Sequence, residues 1–140
     1  KLFEDTFVLL VPDGHRFTEL DAVPLHLLVD ERLIAFPRNF SLRVVTDALL
    51  RKEGAIVTPT IETGWLEMAL RFVAAGLGLM VAPQATVSQA LPPGVCIVEI
   101  DARDPPKRIL AALHRRDGPL VHRVEALLAL AVAKIGQTAN

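Results

Sequence analysis

The chain has no tyrosine and one tryptophan, against six phenylalanines. Basic and aromatic residues are nowhere interleaved in the way that stacks the bases of single-stranded nucleic acid. Charge of one sign is equally scarce: 15 Lys+Arg stand against 16 Asp+Glu, a formal net charge of -1. DNA-binding domains carry a clearly basic footprint, so this balance argues against DNA contact by these residues. The densest basic part, Arg103 to Arg116, is interrupted by Asp104 and Asp117 and reads as a solvated surface. Cysteine occurs once, which excludes an internal disulfide. Cys96 lies in the apolar run Val95-Cys96-Ile97-Val98 and is expected to be a buried structural thiol. A reducing, cytoplasmic setting fits that usage. No apolar run approaches the ~20 residues that span a bilayer. Glu4 and Asp5 break the first apolar residues, so no signal peptide is legible at the start. Because the chain begins at Lys1 rather than methionine, it is expected to be a fragment of a longer protein.

Signatures of chemistry are missing as well. His15, His26, His114 and His122 are far apart, and none pairs with a cysteine or acid at metal-ligand spacing. No metal site, cofactor or catalytic residue is therefore expected. There is no Gly-x-Ser-x-Gly elbow. Gly76-Leu77-Gly78 follows a helical pattern and leads into a strand, whereas a phosphate-binding loop follows a strand and opens a helix. The chain is read as a non-enzyme.

What is present is a single-domain length of 140 residues, 51% apolar and 22% charged, an ordinary globular mix. Phe7-Val8-Leu9-Leu10-Val11 is a buried strand ended by Pro12-Asp13-Gly14. Residues 15–30 read as an irregular connector with one short helical turn. Leu33 to Phe36 is a second buried strand, closed by Pro37. Ser41 is expected to cap a helix with an apolar face of Leu42, Val45, Leu49 and the Val44-Ala48 pair, stopped by Gly54. Ile56 to Glu62 reads as an edge or bulged strand because of Pro59. Thr63-Gly64 opens a second helix, on which Trp65, Leu66, Ala69, Phe72 and Val73 recur at helical spacing. Glu67 falls in its first turn and Gly76 terminates it. Gly78 lets the chain turn closely onto the strand Leu79 to Ala82, which Pro83 ends. A short helix to about Ala90, a loop 91–94, a strand Val95 to Ile100 and a loop 101–106 follow. A last strand spans Ile109 to Leu113. Pro119 suits the first position of an amphipathic C-terminal helix carrying Val121, Val124, Leu127, Leu128, Ala131, Val132 and Ile135, with Gly136 beyond its end. Alternating strands and helices argue for α/β with a mainly parallel sheet.

In such sheets ligands bind where strand ends meet helix N-termini. Two places qualify. Phe36-Pro37-Arg38-Asn39-Phe40-Ser41 joins a strand to the first helix, and its free amides and Arg38 could hold a carboxylate. Glu62-Thr63-Gly64-Trp65 repeats the arrangement one unit later. The plainer alternative is that Ser41 and Thr63 only cap helices and that Arg38 is solvated.

The run Val73-Ala74-Ala75-Gly76-Leu77-Gly78-Leu79-Met80-Val81-Ala82-Pro83 resembles a segment of the effector-binding domain of LysR-type transcriptional regulators. The Phe7 strand with Pro12 and His15, the Arg43 and Asp47 pair, Gly54, Pro59 and Glu62 in order, and Arg108 to Arg115 are also similar to that family's patterns. The resemblance covers nearly the whole chain. It implies a type 2 periplasmic-binding-protein-like fold, with one complete α/β subdomain plus part of a second. Residues 1–28 would be a strand and crossover of the first subdomain, 29–106 the second, effector-binding subdomain, and 107–140 the return strand and C-terminal helix of the first. It further implies a small anionic or aromatic effector held near Pro37, Arg38, Asn39, Phe40, Ser41, Thr63, Gly76, Leu77 and Gly78. A homodimer or homotetramer is implied, contacting DNA only through an N-terminal helix-turn-helix outside these residues. The helix from Leu42 to Leu50 and the C-terminal helix would be its interface elements. A solute-binding protein of the same fold is the competing reading.

Overall fold

The computed structural model describes residues 1–88, 91–114 and 121–138, the last four of these by backbone alone. Strand β2 (Phe7–Pro12) is the centre of its sheet, flanked on both sides by antiparallel partners, β6 (Met80–Pro83) and β7 (Val95–Asp101). Strand β3 (Ala22–Pro24) runs parallel to β7. Strands β4 (Ile34–Ala35) and β5 (Ile61–Glu62) run parallel to each other, and Leu33 bridges Leu79 in the parallel sense. It follows that β3, β7, β6, β4 and β5 share one direction and that β2 alone opposes them. Five of these six strands run one way, but two of the three pairings in the four-stranded sheet β3-β7-β2-β6 are antiparallel, because the reversed β2 lies at its heart, where the alternation of elements predicts parallel pairing.

The apolar run of β2 is continuous because both of its faces are covered. Phe7, Leu9 and Val11 join one core with Phe17, Leu25, Leu28, Leu49 and Leu50. Val8 and Leu10 join the other with Ala69, Leu70 and Val73. Helix α1 (Ser41–Lys52) thus covers one face and α2 (Leu66–Ala74) the other. The connector at 15–30 is more ordered than expected: it holds two 3-10 turns, Arg16–Glu19 and Leu25–Asp30, around β3. A short helix, α3 (Gln84–Val87), follows β6; Ala90, its expected end, lies outside the described residues.

Both long helices of this sheet stop in the same way. Gly76, at φ 70°, donates to Val73 O, and Leu77 N donates to Phe72 O at 3.0 Å. Gly54, at φ 80°, is followed by Ala55 N donating to Leu50 O at 2.8 Å. In each case a left-handed glycine turns the chain back onto the last carbonyls.

Several expectations need correcting. Ser41 is the first helical residue rather than the cap; Phe40 holds the cap position and no side chain caps it. The buried face of α1 carries Arg43, Thr46, Leu49 and Leu50, while Val44 is 61% exposed. Thr46 Oγ1 donates to Leu42 O at 3.0 Å, which is how a polar residue takes an inward position. Ile56 to Thr60 is not strand; Ile56 is 81% exposed, and only Ile61–Glu62 pairs. Pro59 removes an amide that a ladder would need. Trp65 caps α2 from outside, 72% exposed, instead of lining its apolar face.

The chain divides into two compact units, residues 6–106 and residues 1–5 with 107–140. The Phe7 strand falls in the larger unit, with the sheet above. In the smaller unit β1 (Phe3–Asp5) pairs antiparallel with β8 (Arg108–Leu110). The β1 strand was not foreseen, and β8 ends before Leu113, which is 97% exposed. Asp5, 4% exposed, accepts from Arg108 Nη2 at 2.7 Å. Helix α4 (Val121–Thr138) includes Gly136 and exposes Leu127 and Leu130. Arg115, Arg116 and Pro119 lie outside the described residues.

Candidate functional site

The carboxyl ends of the parallel strands define one edge of the sheet. There β4 leads through Pro37 to Phe40 into α1, and β5 leads through Thr63 to Trp65 into α2. The two connections touch. A Cβ at Gly64 would lie 3.2 Å from Phe40 Cζ, so the Phe40 ring sits against the second loop. Phe40 also stacks on Phe36, ring centroids 5.5 Å apart and planes 7° from parallel. Thr63 N donates to Ala35 O at 3.0 Å, tying the loops together through backbone.

Sequence order explains this local geometry. Pro37 cannot extend β4, and Phe40 N donates back to Pro37 O at 2.9 Å in a tight turn. Thr63 Oγ1 accepts from Trp65 N at 3.2 Å, a hydroxyl turn that aims the start of α2. The first-turn amides of any helix lack intrahelical acceptors, and neither helix start is capped by a side chain. Two helix N-termini thus offer donors and positive dipole ends at one edge. Around them Arg38, Asn39 and Ser41 are exposed, while Pro37, Phe40 and Thr63 are half-buried.

Arg43 braces this edge from below. Its Nη1 donates to Phe36 O at 2.9 Å and to Glu62 Oε1 at 2.7 Å, and its Nε donates to Asp47 Oδ1 at 2.8 Å. Burial alone would lower the pKa of this guanidinium. The hydrogen bonds to Glu62 and Asp47 outweigh that and hold it above its ordinary value. The Arg43 and Asp47 spacing was legible in the sequence; the convergence of β4, β5 and α1 on one guanidinium was not.

The structure separates the predicted residues into two groups. Pro37, Arg38, Asn39, Phe40, Ser41 and Thr63 share the edge just described. Gly76, Leu77 and Gly78 precede β6, and Leu79 is level with Leu33 at the start of β4, so the glycine turn lies at the opposite edge. There it serves packing. A Cβ at Gly78 would lie 2.7 Å from Arg32 O, and Arg32 Nη2 donates to Gly76 O at 3.0 Å. A small hollow of about 90 Å³ beside it is lined by His15, Glu31 and Arg32.

Sequence reasoning missed two neighbours of the first group. Thr6 Oγ1 donates to Gln84 Oε1 at 2.9 Å, and Gln84 N donates to Thr6 O, where β2 begins and β6 ends. The signal available was Gln84's place directly after a strand-ending proline. Trp65, read both as part of the α2 apolar face and as the end of the Glu62-Thr63-Gly64-Trp65 connection, keeps only the second place, since it is 72% exposed. A broader hollow of about 580 Å³ along α2, lined by Glu67, Arg71, Pro92 and Pro93 among others, includes none of the predicted residues. Among the described residues there is no group of three or more His, Cys, Asp or Glu placed to hold a metal ion, and no helix is long and apolar enough to cross a membrane.

Cys96 is half-buried rather than buried, and its thiol donates to Asp13 Oδ1 at 3.7 Å. Burial, and then the neighbouring Asp13 charge, push its pKa up. A raised pKa lowers the thiolate fraction, so this is a poor nucleophile.

The α/β fold is that of a type 2 periplasmic-binding-protein-like domain, shared with the regulatory domains on which the chain superposes. The LysR substrate binding domain family matches residues 1–135, and the chain belongs to that family. The HTH-type transcriptional regulator SoxR of Arthrobacter sp. is 27% identical over 128 residues, 91% of this chain and 42% of that protein. A mutant OxyR of Corynebacterium glutamicum superposes with a TM-score of 0.76 at 21% identity, covering 99% of this chain and 43% of that one. The regulatory domain of Synechocystis CcmR, solved in complex with 2-PG, gives a TM-score of 0.75 at 23% identity over 93% of this chain and 64% of that one. The chain therefore spans under half the length of the SoxR regulator it matches.

Proposed function

We propose that the chain is the effector-sensing part of a cytoplasmic LysR-type transcriptional regulator, that it catalyses nothing, and that the edge formed by Pro37 to Ser41 and Thr63 to Trp65 holds the effector. The observation that carries this reading is the contact of Phe40 with Gly64, which brings two helix N-termini and two loops into one place. Exposed Arg38, uncapped amides and the Thr63 hydroxyl favour a small anion. The Phe36 and Phe40 rings and Trp65 add apolar surface for a carbon skeleton.

The mechanism is a population shift. An effector that binds one conformational state better than another favours that state by the difference in affinity, and no more. The regulator would read that shift as a rearranged homodimer or homotetramer, presenting helix-turn-helix domains contributed by sequence outside this chain. The exposed Leu127 and Leu130 of α4 suit such self-association.

A thermal-shift screen with organic acids and aromatic carboxylates tests the pocket. A ligand at 100 times its Kd stabilises the fold by about 2.7 kcal/mol. Arg38→Ala and Thr63→Val are each expected to abolish most of that shift. If both variants respond like the parent, the effector does not sit at this edge.

A further inference from the structure

We propose a second ligand site on the outer flank of α1: a groove that takes an elongated dianion with an aliphatic spacer, a short aliphatic dicarboxylate. The groove has a volume of about 290 Å³, at the small end of ligand clefts. Arg38, Arg51, Val44, Val57, Thr58 and Pro59 line it together with Arg43 and Asp47.

The charges are not equivalent. Arg43 and Asp47 satisfy each other at 2.8 Å, and Arg43 is further bound by Glu62. Arg38 and Arg51 belong to none of the ion pairs seen among the described residues. Two exposed, uncompensated guanidinium groups thus face one groove whose other charges cancel.

Their placement selects the ligand shape. Arg38 precedes the start of α1 at Ser41, and Arg51 lies in its last turn. At 1.5 Å rise per residue, the backbone positions of Ser41 and Arg51 are about 15 Å apart, a gap that the long Arg38 and Arg51 side chains lining the groove shorten from both ends. A single compact anion would engage one end. An ion with a carboxylate at each end engages both, its methylenes lying along Val44, Val57 and Pro59. Thr58, which is exposed, adds a hydroxyl to the wall. The proposal does not depend on the effector edge, although Arg38 borders both.

Isothermal titration of the purified protein with glutarate tests it, alongside butyrate and inorganic phosphate. Arg51→Ala separates the two sites, because Arg51 is remote from Thr63; Arg51→Lys keeps the charge. Glutarate is expected to bind at least tenfold more tightly than butyrate or phosphate. Arg51→Ala is expected to weaken it at least tenfold, Arg51→Lys to restore most of the affinity, and Thr63→Val to leave it unchanged. Affinity should fall with added salt, as the contacts are solvent-exposed. No glutarate binding, equal binding of phosphate, or loss in Thr63→Val but not in Arg51→Ala each overturns the second site. The last pattern would move the anion to the effector edge and leave that reading intact. Arg51 is exposed, so circular dichroism should show its variants folded.

Discussion

Arg43 and Glu62 are nineteen residues apart and meet through a 2.7 Å contact from guanidinium to carboxylate. The pair joins α1 to the end of β5, the two elements that carry the loops of the candidate site. Arg43 is 4% exposed and Glu62 42%. The bond therefore lies between the exposed ion pairs that contribute little and the buried ones whose breakage is costly. Arg43→Ala is expected to cost about 2 kcal/mol, midway between those limits. It should also weaken effector binding by loosening both loops. Urea denaturation measures the first effect and titration the second. An Arg43→Ala protein of parental stability would show that the guanidinium does not brace the edge.

Strand β2 is enclosed on both faces, so neither parity of its side chains is tolerant. Leu9→Ala and Leu10→Ala are each expected to lose about 2–5 kcal/mol, since each leaves a cavity in a different core. In a half-solvated strand one of the two would be nearly silent. Equilibrium unfolding of both variants decides it.

The glycine turn makes an ordered prediction. Gly76→Ala keeps open space around its Cβ but must hold φ 70°, which costs about 1 kcal/mol. Gly78→Ala drives a methyl to 2.7 Å from the Arg32 carbonyl oxygen. Backbone must move there, and the expected loss is larger, about 2–3 kcal/mol. Melting temperatures should rank parent above Gly76→Ala above Gly78→Ala. Because this turn lies at the edge opposite Thr63, the effector's Kd should change little in Gly76→Ala.

Cys96 gives a pH dependence. Its folded-state pKa is raised by burial and by Asp13, so the neutral thiol is the form that folding favours. That contribution is fully present below the ordinary thiol pKa and is lost as pH rises through the raised folded value. Reaction with a disulfide reagent should be slow at neutral pH, with its rate rising at a more alkaline pH than for a free thiol. Asp13→Asn should move the profile toward lower pH without restoring it fully, because burial remains. A profile matching free cysteine would contradict the raised pKa.

Trp65 is the chain's one tryptophan and stands 72% exposed at the rim of the candidate site. Its emission should be that of a solvated indole and should shift to shorter wavelength when an effector covers it. A confirmed ligand that leaves the emission unchanged would place its pocket away from Trp65.

The sequence determined what depends on neighbours in the chain. The Phe7 to Val11 run required a strand covered on two sides. Gly54 and Gly76 required helix ends, since a left-handed turn excludes most other residues. Pro37 and Thr63 marked loops, and the order of these pieces carried the family resemblance. Tertiary structure alone decided what depends on residues far apart. It placed Gly78 away from Thr63, because the parallel alignment of Leu33 with Leu79 sets which strand ends share an edge. It gave the inward face of α1 to Arg43 and Thr46, because partners on other segments satisfy their polar atoms, and hydrophobic periodicity registers apolarity but not satisfied hydrogen bonds. It turned Trp65 outward, because a helix cap has no obligation to follow the helix face that comes after it.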